Sequence, residues 1–195
     1  VDMNDGKDGF AILNNSGIRE YEAMDLKNRP LAITLMRAFT FRHTPCFGRW
    51  EVYPDDLMSQ CLRDFEYTYS IYPHSGDWTN GVYAEAEDLN LPLESAQVGP
   101  HKGMLPKSMS FMQLEGEQLQ LTVFKQAEDR ADSYVVRFFN PTENEVAGKL
   151  ILSKDVKNAW FTNLNEERET EIQTNGNEIP FTALKKKIVT IEFEL

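Results

Sequence analysis

Apolar and polar residues alternate most cleanly over Arg63–Trp78, RDFEYTYSIYPHSGDW. Phe65, Tyr67, Tyr69 and Ile71 fall on one side of the alternation, and Glu66, Thr68 and Ser70 on the other. That period predicts a strand with one buried face. Pro73 is expected to stop the strand and Ser75-Gly76 to turn the chain, delivering Trp78 to the next element. Upstream, short strands are expected at Phe10–Leu13 and at Ile18–Met24, joined as a hairpin through Asn14–Gly17. The continuous apolar run Leu31–Met36 suits an interior strand. Residues 38–60 keep no sustained period and read as a long irregular excursion, the kind of segment in which functional loops sit.

After the aromatic strand comes one helical pattern, with Val82, Tyr83, Ala86 and Leu89 at helical spacing and Asp77 or Thr79 as the cap. The helix is expected to end near Asn90, ahead of Pro92, with Leu91–Val98 extended. Gly99, Pro100, Gly103 and Pro106 then mark a boundary, dividing the chain into 1–105 and 106–195. Beyond it the pattern is regular. Ser108–Leu114, Leu119–Lys125, Ser133–Phe139, Glu145–Leu152, Ala159–Asn163 and Ile188–Leu195 read as strands, with Asn140–Asn144 as a hairpin turn. The fold class is therefore mainly β, an antiparallel sandwich with one short helix.

Composition sharpens this without changing it. Apolar residues make up 41% of the chain, with three Trp, seven Tyr and twelve Phe, enough for a packed core. The net charge of −11 disfavours nucleic acid as a partner. No apolar run reaches membrane-spanning length, and the opening residues lack the basic and apolar regions of a secretion signal. A cytoplasmic protein is expected; Cys46 and Cys61 could pair, though two cysteines in a domain of this size are more often buried or idle thiols. The start at Val1, directly before a strand, reads as a piece of a longer polypeptide.

Candidate chemistry is sparse. His43, His74 and His101 are far apart, and no metal or nucleophile motif links them. Glu85, Glu87 and Asp88 read as the wet face of the helix, and Lys185–Lys187 as a guard against edge pairing. The aromatic residues are the better candidates, because sugar rings stack on Trp and Tyr. Trp50 and Trp78, with Arg49 and Asp77 beside them, could form a carbohydrate contact or plug the core beneath the loops.

The order of GFAILNNSGIREYEAM, PLAITLMRAF, RDFEYTYSIYPHSGDW and Asn90–Leu93 resembles the C-terminal β region of glycoside hydrolase family 38, the α-mannosidases and mannosylglycerate-type hydrolases. The tail resembles it too, through SFMQLEGEQLQLTVFKQAED, SYVVRFFNPTENEV, a Trp-containing strand and the final IVTIEFEL. The resemblance implies a portion of a large galactose-mutarotase-like sandwich followed by a smaller one. It implies a parent enzyme, bacterial and cytoplasmic, that cleaves α-mannosides with retention. The catalytic zinc, nucleophile and acid/base would lie on an N-terminal domain that is this chain's partner. No catalytic residue carries over, and the chain alone is expected to be inactive. Arg49, Trp50, Asp77 and Trp78 become candidates for the substrate rim. An uncovered sheet face or edge would favour a homodimer. A free-standing carbohydrate-binding module, or a structural β domain of another polysaccharide enzyme, remains the alternative.

Overall fold

In the computed structural model of the chain, residues 1–15, 17–44, 49–52 and 57–195 are described, the side chains of 41–44 and 49–52 excepted. The chain forms two compact units, Val1–Leu93 and Glu94–Leu195.

The first unit runs β1 (Asp2–Asn4), β2 (Asp8–Asn14), β3 (Tyr21–Ala23), β4 (Leu31–Ile33), β5 (Phe41–Thr44), β6 (Arg49–Val52), a 3-10 turn at Leu57–Gln60, β7 (Tyr69–Ser75) and α1 (Val82–Asn90). Strands β1, β2 and β7 form an antiparallel sheet in that order. Ala11 and Leu13 are buried on one of its faces, where Val82, Ala86 and Leu89 of α1 pack with Tyr72 and Trp78.

Several expectations for this unit fail. Strand β2 does not pair with the segment after Asn14–Gly17; β3 pairs with β4 instead. Leu31–Met36 is not an interior strand: only Leu31–Ile33 is extended in a pair, and Leu35 and Met36 are exposed. The irregular excursion contains the β5–β6 hairpin.

The phase of the aromatic strand is also reversed. Ser70, Tyr72 and His74 point inward, while Tyr69 and Ile71 are 51% and 57% exposed. Pairing explains this, because directly opposed residues share a face. Leu13 lies opposite Ser70 and Ala11 opposite Tyr72, so the buried face of β2 selects the alternate set on β7. Pro73 does not end the strand. It pairs with Phe10 on an edge strand, where a missing N–H is tolerated. The helix cap is neither Asp77 nor Thr79 but Gly81, at φ 91° and without a side-chain cap. A Cβ there would lie 2.8 Å from the Tyr72 hydroxyl oxygen, so glycine answers both the backbone and the space.

The second unit is a sandwich. Its strands are β8 (Met112–Glu115), β9 (Gln120–Gln126), β10 (Ser133–Phe139), β11 (Val146–Leu152), β12 (Asn158–Thr162), β13 (Arg168–Ile172), β14 (Glu178–Ala183) and β15 (Ile188–Glu194). One sheet is ordered β13-β12-β15-β10-β9 and the other β14-β11-β8, all antiparallel. Val136, Phe138, Ala159, Ile191 and Phe193 of the first sheet meet Leu150, Ile179, Phe181 and Ala183 of the second in one buried cluster. Phe138 and Phe181 lie with ring centroids 4.6 Å apart. Full burial of such side chains is the main stabilising term, about 1.5–3 kcal/mol each. The six expected strands are present, and β13 and β14 were not anticipated.

Asn140 locks one end of the sandwich. Its amide nitrogen donates to the carbonyls of Asn144, Ala183 and Leu184, and its side-chain oxygen accepts from the Thr142 amide and hydroxyl. Lys186, at the turn before β15, donates to the Pro141 carbonyl at 2.7 Å. The lysine run thus contributes to an internal lock as well as to the surface.

Candidate functional site

Asp77 accepts the amide of Thr79 at 2.9 Å and the Thr79 hydroxyl, which holds its carboxyl below the usual range. Trp78 packs against the Ala11–Leu13–Val82 cluster and meets the Tyr83 ring edge-on at 5.5 Å. Arg49 and Trp50 stand on β6, where Trp50 pairs in register with His43; their side chains lie outside the described residues, as does Cys46. Cys61 is half-buried, its thiol donating to the Arg37 carbonyl at 3.3 Å. His101 lies on the surface beside the Gly99 carbonyl.

His74 has a partner after all. Its Nε2 lies 2.7 Å from Asp2 Oδ1, and the two side chains are only 1% and 10% exposed. Sequence separation hid the pair, since 72 positions divide its members. Burial pushes the imidazole down, but the Asp2 hydrogen bond, the Ser75 carbonyl and the charges of Asp2 and Asp77 outweigh it, and the net shift is upward.

The densest charged cluster lies on the outer face of the five-stranded sheet. Phe193 and Ile191 of β15 point into the core, so alternation sends Glu192 and Glu194 outward. Glu192 is nonetheless fully buried. Arg130 reaches it through two nitrogens at 2.6 and 2.7 Å, and Arg168 through Nε and Nη2 at 3.2 and 2.7 Å. Arg168 also bonds Glu194 at 2.8 Å and stacks on Trp160, 3.5 Å from the ring centroid. Forked guanidiniums suit a carboxylate in this way because both are planar.

Segment 163–167 is tied down over the same face. The Glu166 carboxylate takes Lys125 at 2.6 Å and the Glu128 amide at 2.9 Å, while its carbonyl accepts Arg130 at 2.6 Å. Arg137 donates to the Leu164 carbonyl and to Thr190. Burial alone would raise the Glu192 carboxyl, but Arg130, Arg168 and Ser133 reverse it and carry it down to about 2. The Glu166 and Glu194 carboxyls are lowered too, by Lys125 and by Asn158 with Arg168.

These directions decide what the cluster can do. Carboxylate-assisted glycoside hydrolysis requires one acid whose affinity for a proton is raised beside a second free carboxylate. Here every shifted carboxyl is lowered and has its oxygens engaged, so the cluster holds charge and fixes loops. Among the described residues, no three His, Cys, Asp or Glu side chains gather as a metal ion would require. Nothing in the sequence linked Arg130, Trp160, Arg168 and Glu192; the alternation of IVTIEFEL, with two glutamates opposite its apolar set, was the available signal.

Residues 118–191 match the family described as "Glycosyl hydrolases family 38 C-terminal beta sandwich domain". The match spans β9 to β14 and the first part of β15. No curated protein matches the chain.

Proposed function

Taking the second unit as a C-terminal β-sandwich domain of glycosyl hydrolase family 38, we propose that the chain is the non-catalytic β portion of a retaining, zinc-dependent α-mannosidase. The observation that carries this reading is the family match falling on a sandwich whose inner face is closed apolar core and whose outer face is locked in ion pairs. Such a body suits support of a neighbouring catalytic domain. Zinc and the reacting carboxylates would belong to that domain, and a mannoside would be its substrate. Asp77, exposed beside the core-packed Trp78, is the part of this corner offered to the substrate rim. A cytoplasmic enzyme and a homodimer belong to the same proposal, the latter supported by exposed Phe10, Phe65, Tyr69 and Ile71 on the first unit. No helix among the described residues is long and apolar enough to cross a membrane.

The test is turnover of a nitrophenyl α-mannoside with and without added zinc, by the chain alone and by the chain co-expressed with a family 38 catalytic domain. Activity is expected only in the second case, with the chain co-purifying. Zinc-dependent turnover by the chain alone would overturn the reading.

A further inference from the structure

We propose that the Asp2–His74 pair is a pH-operated latch that fastens β1 to β7 across Gly9, closed while His74 is an imidazolium and weakened when that proton leaves. Among the described residues β1 pairs with β2 alone, whereas His74 lies on β7, two strands away. The ring reaches across because Gly9, directly opposite His74, has no side chain. A Cβ at Gly9 would fall 2.1 Å from the ring Cε1. Asp2 then meets Nε2 at 2.7 Å while Nδ1 lies 3.3 Å from the Ser75 carbonyl oxygen. Both ring nitrogens therefore face acceptors. A neutral imidazole has one N–H, and only the doubly protonated ring donates to both.

The surroundings favour that charge. Tyr72 lies against the ring at 5.9 Å, and α1 packs here through Val82, Ala86 and Leu89, none of which titrates. Asp8 on β2 points to the opposite face by alternation. Lys7 engages the turn through its backbone, accepting the Gly76 amide. The Asp5 carboxylate is occupied by the amides of Lys7 and Asp8. The charged groups acting on the ring are Asp2 and Asp77, both anionic.

With the folded-state value raised, the stabilisation is fully present below the ordinary imidazole range and is lost as pH rises through the raised value. Losing the proton leaves a nearly buried carboxylate beside a neutral ring, which costs stability. Strand β1, on the outside of its three-stranded sheet, opens before the rest.

Hydrogen exchange of the β1–β2 amides from pH 5 to 9, corrected for intrinsic rates, tests the latch alongside NMR titration of the His74 ring. The Ile12 amide, which donates to the Val1 carbonyl at 2.8 Å, is the reporter. Protection there is expected to fall severalfold as pH passes the ring's midpoint, itself above about 6.5. In His74→Gln the step disappears, while in Asp2→Asn the ring midpoint moves down. A flat wild-type profile, a step that persists in His74→Gln, or an unmoved midpoint in Asp2→Asn would each overturn the proposal. If His74→Gln does not fold, the Asp2→Asn midpoint decides alone.

Discussion

Replacing Glu192 by Gln preserves the shape of the outer-face cluster and removes the charge between Arg130 and Arg168. A fully buried carboxyl carried from 4.5 to about 2 contributes about 3 kcal/mol at neutral pH, since each unit of displacement is worth about 1.4 kcal/mol. Removing one member of a buried ion pair costs about 3–5 kcal/mol where the remaining charge is left without a partner, an upper bound on the loss here. Arg130 would keep the Glu166 carbonyl and Arg168 would keep Glu194, but both lose the carboxylate they share, and they repel each other.

The sign with pH comes from the lowered value. The contribution is complete above about pH 4.5 and drains away as pH falls toward 2. Urea unfolding followed by far-ultraviolet circular dichroism, for wild type and Glu192→Gln, should show a gap of about 3 kcal/mol at pH 7. In melting temperature that is a fall of about 10 °C or more for a unit of this size. The gap should narrow steadily between pH 5 and 2. A difference below about 1 kcal/mol at neutral pH would show that the guanidiniums find equal partners without the carboxylate. A gap that does not close in acid would refute the charge argument while leaving the packing one.

Asn140→Ala should cost about 3 kcal/mol in the same assay, because it strands the Thr142 donors and three carbonyls at the buried turn. Gly148→Ala should destabilise the β8–β11 pairing by about 1–3 kcal/mol, since the new Cβ would fall 2.2 Å from the Glu115 carbonyl oxygen; loss of amide protection in Met112–Glu115 reports it. Trp78→Ala should lower the stability of the first unit by about 2–3 kcal/mol in thermal melts by vacating its contacts with Ala11, Leu13 and Val82. A calorimetric α-mannoside signal that vanishes in that variant without any loss of stability would instead make Trp78 a sugar contact.

The second unit was legible in the sequence because most of its strands alternate apolar and polar positions over typical strand lengths. SYVVRFF and IVTIEFEL needed no further information, and both can be read to within a residue of their ends. Strands β13 and β14 escaped for opposite reasons. RETEI is almost wholly polar and forms a strand because it is an edge pairing with β12, while EIPFTA carries a proline that argues against a ladder. In the first unit, Tyr69 and Ile71 looked like the inward set, yet Ser70, Tyr72 and His74 are inward. Hydrophobicity ranks the two faces of a strand, but register with a neighbour chooses between them, and register is a property of the pair. The same limit hid Asp2 from His74 and Arg130 from Glu192, since those contacts exist only after the strands have been laid side by side.

The outer-face cluster bears on that problem of register. Strand β15 is buried on both faces, a condition usually met by a continuous apolar run, which specifies phase poorly. IVTIEFE instead alternates core residues with Thr190, Glu192 and Glu194. A slip of one residue would carry Glu192 into the hydrocarbon core opposite Ile179 and Phe181, and would set Phe193 among the guanidiniums. An uncompensated buried charge costs several kcal/mol, comparable to the whole stability of a small domain. The buried carboxylate thus opposes the wrong pairing as well as stabilising the right one.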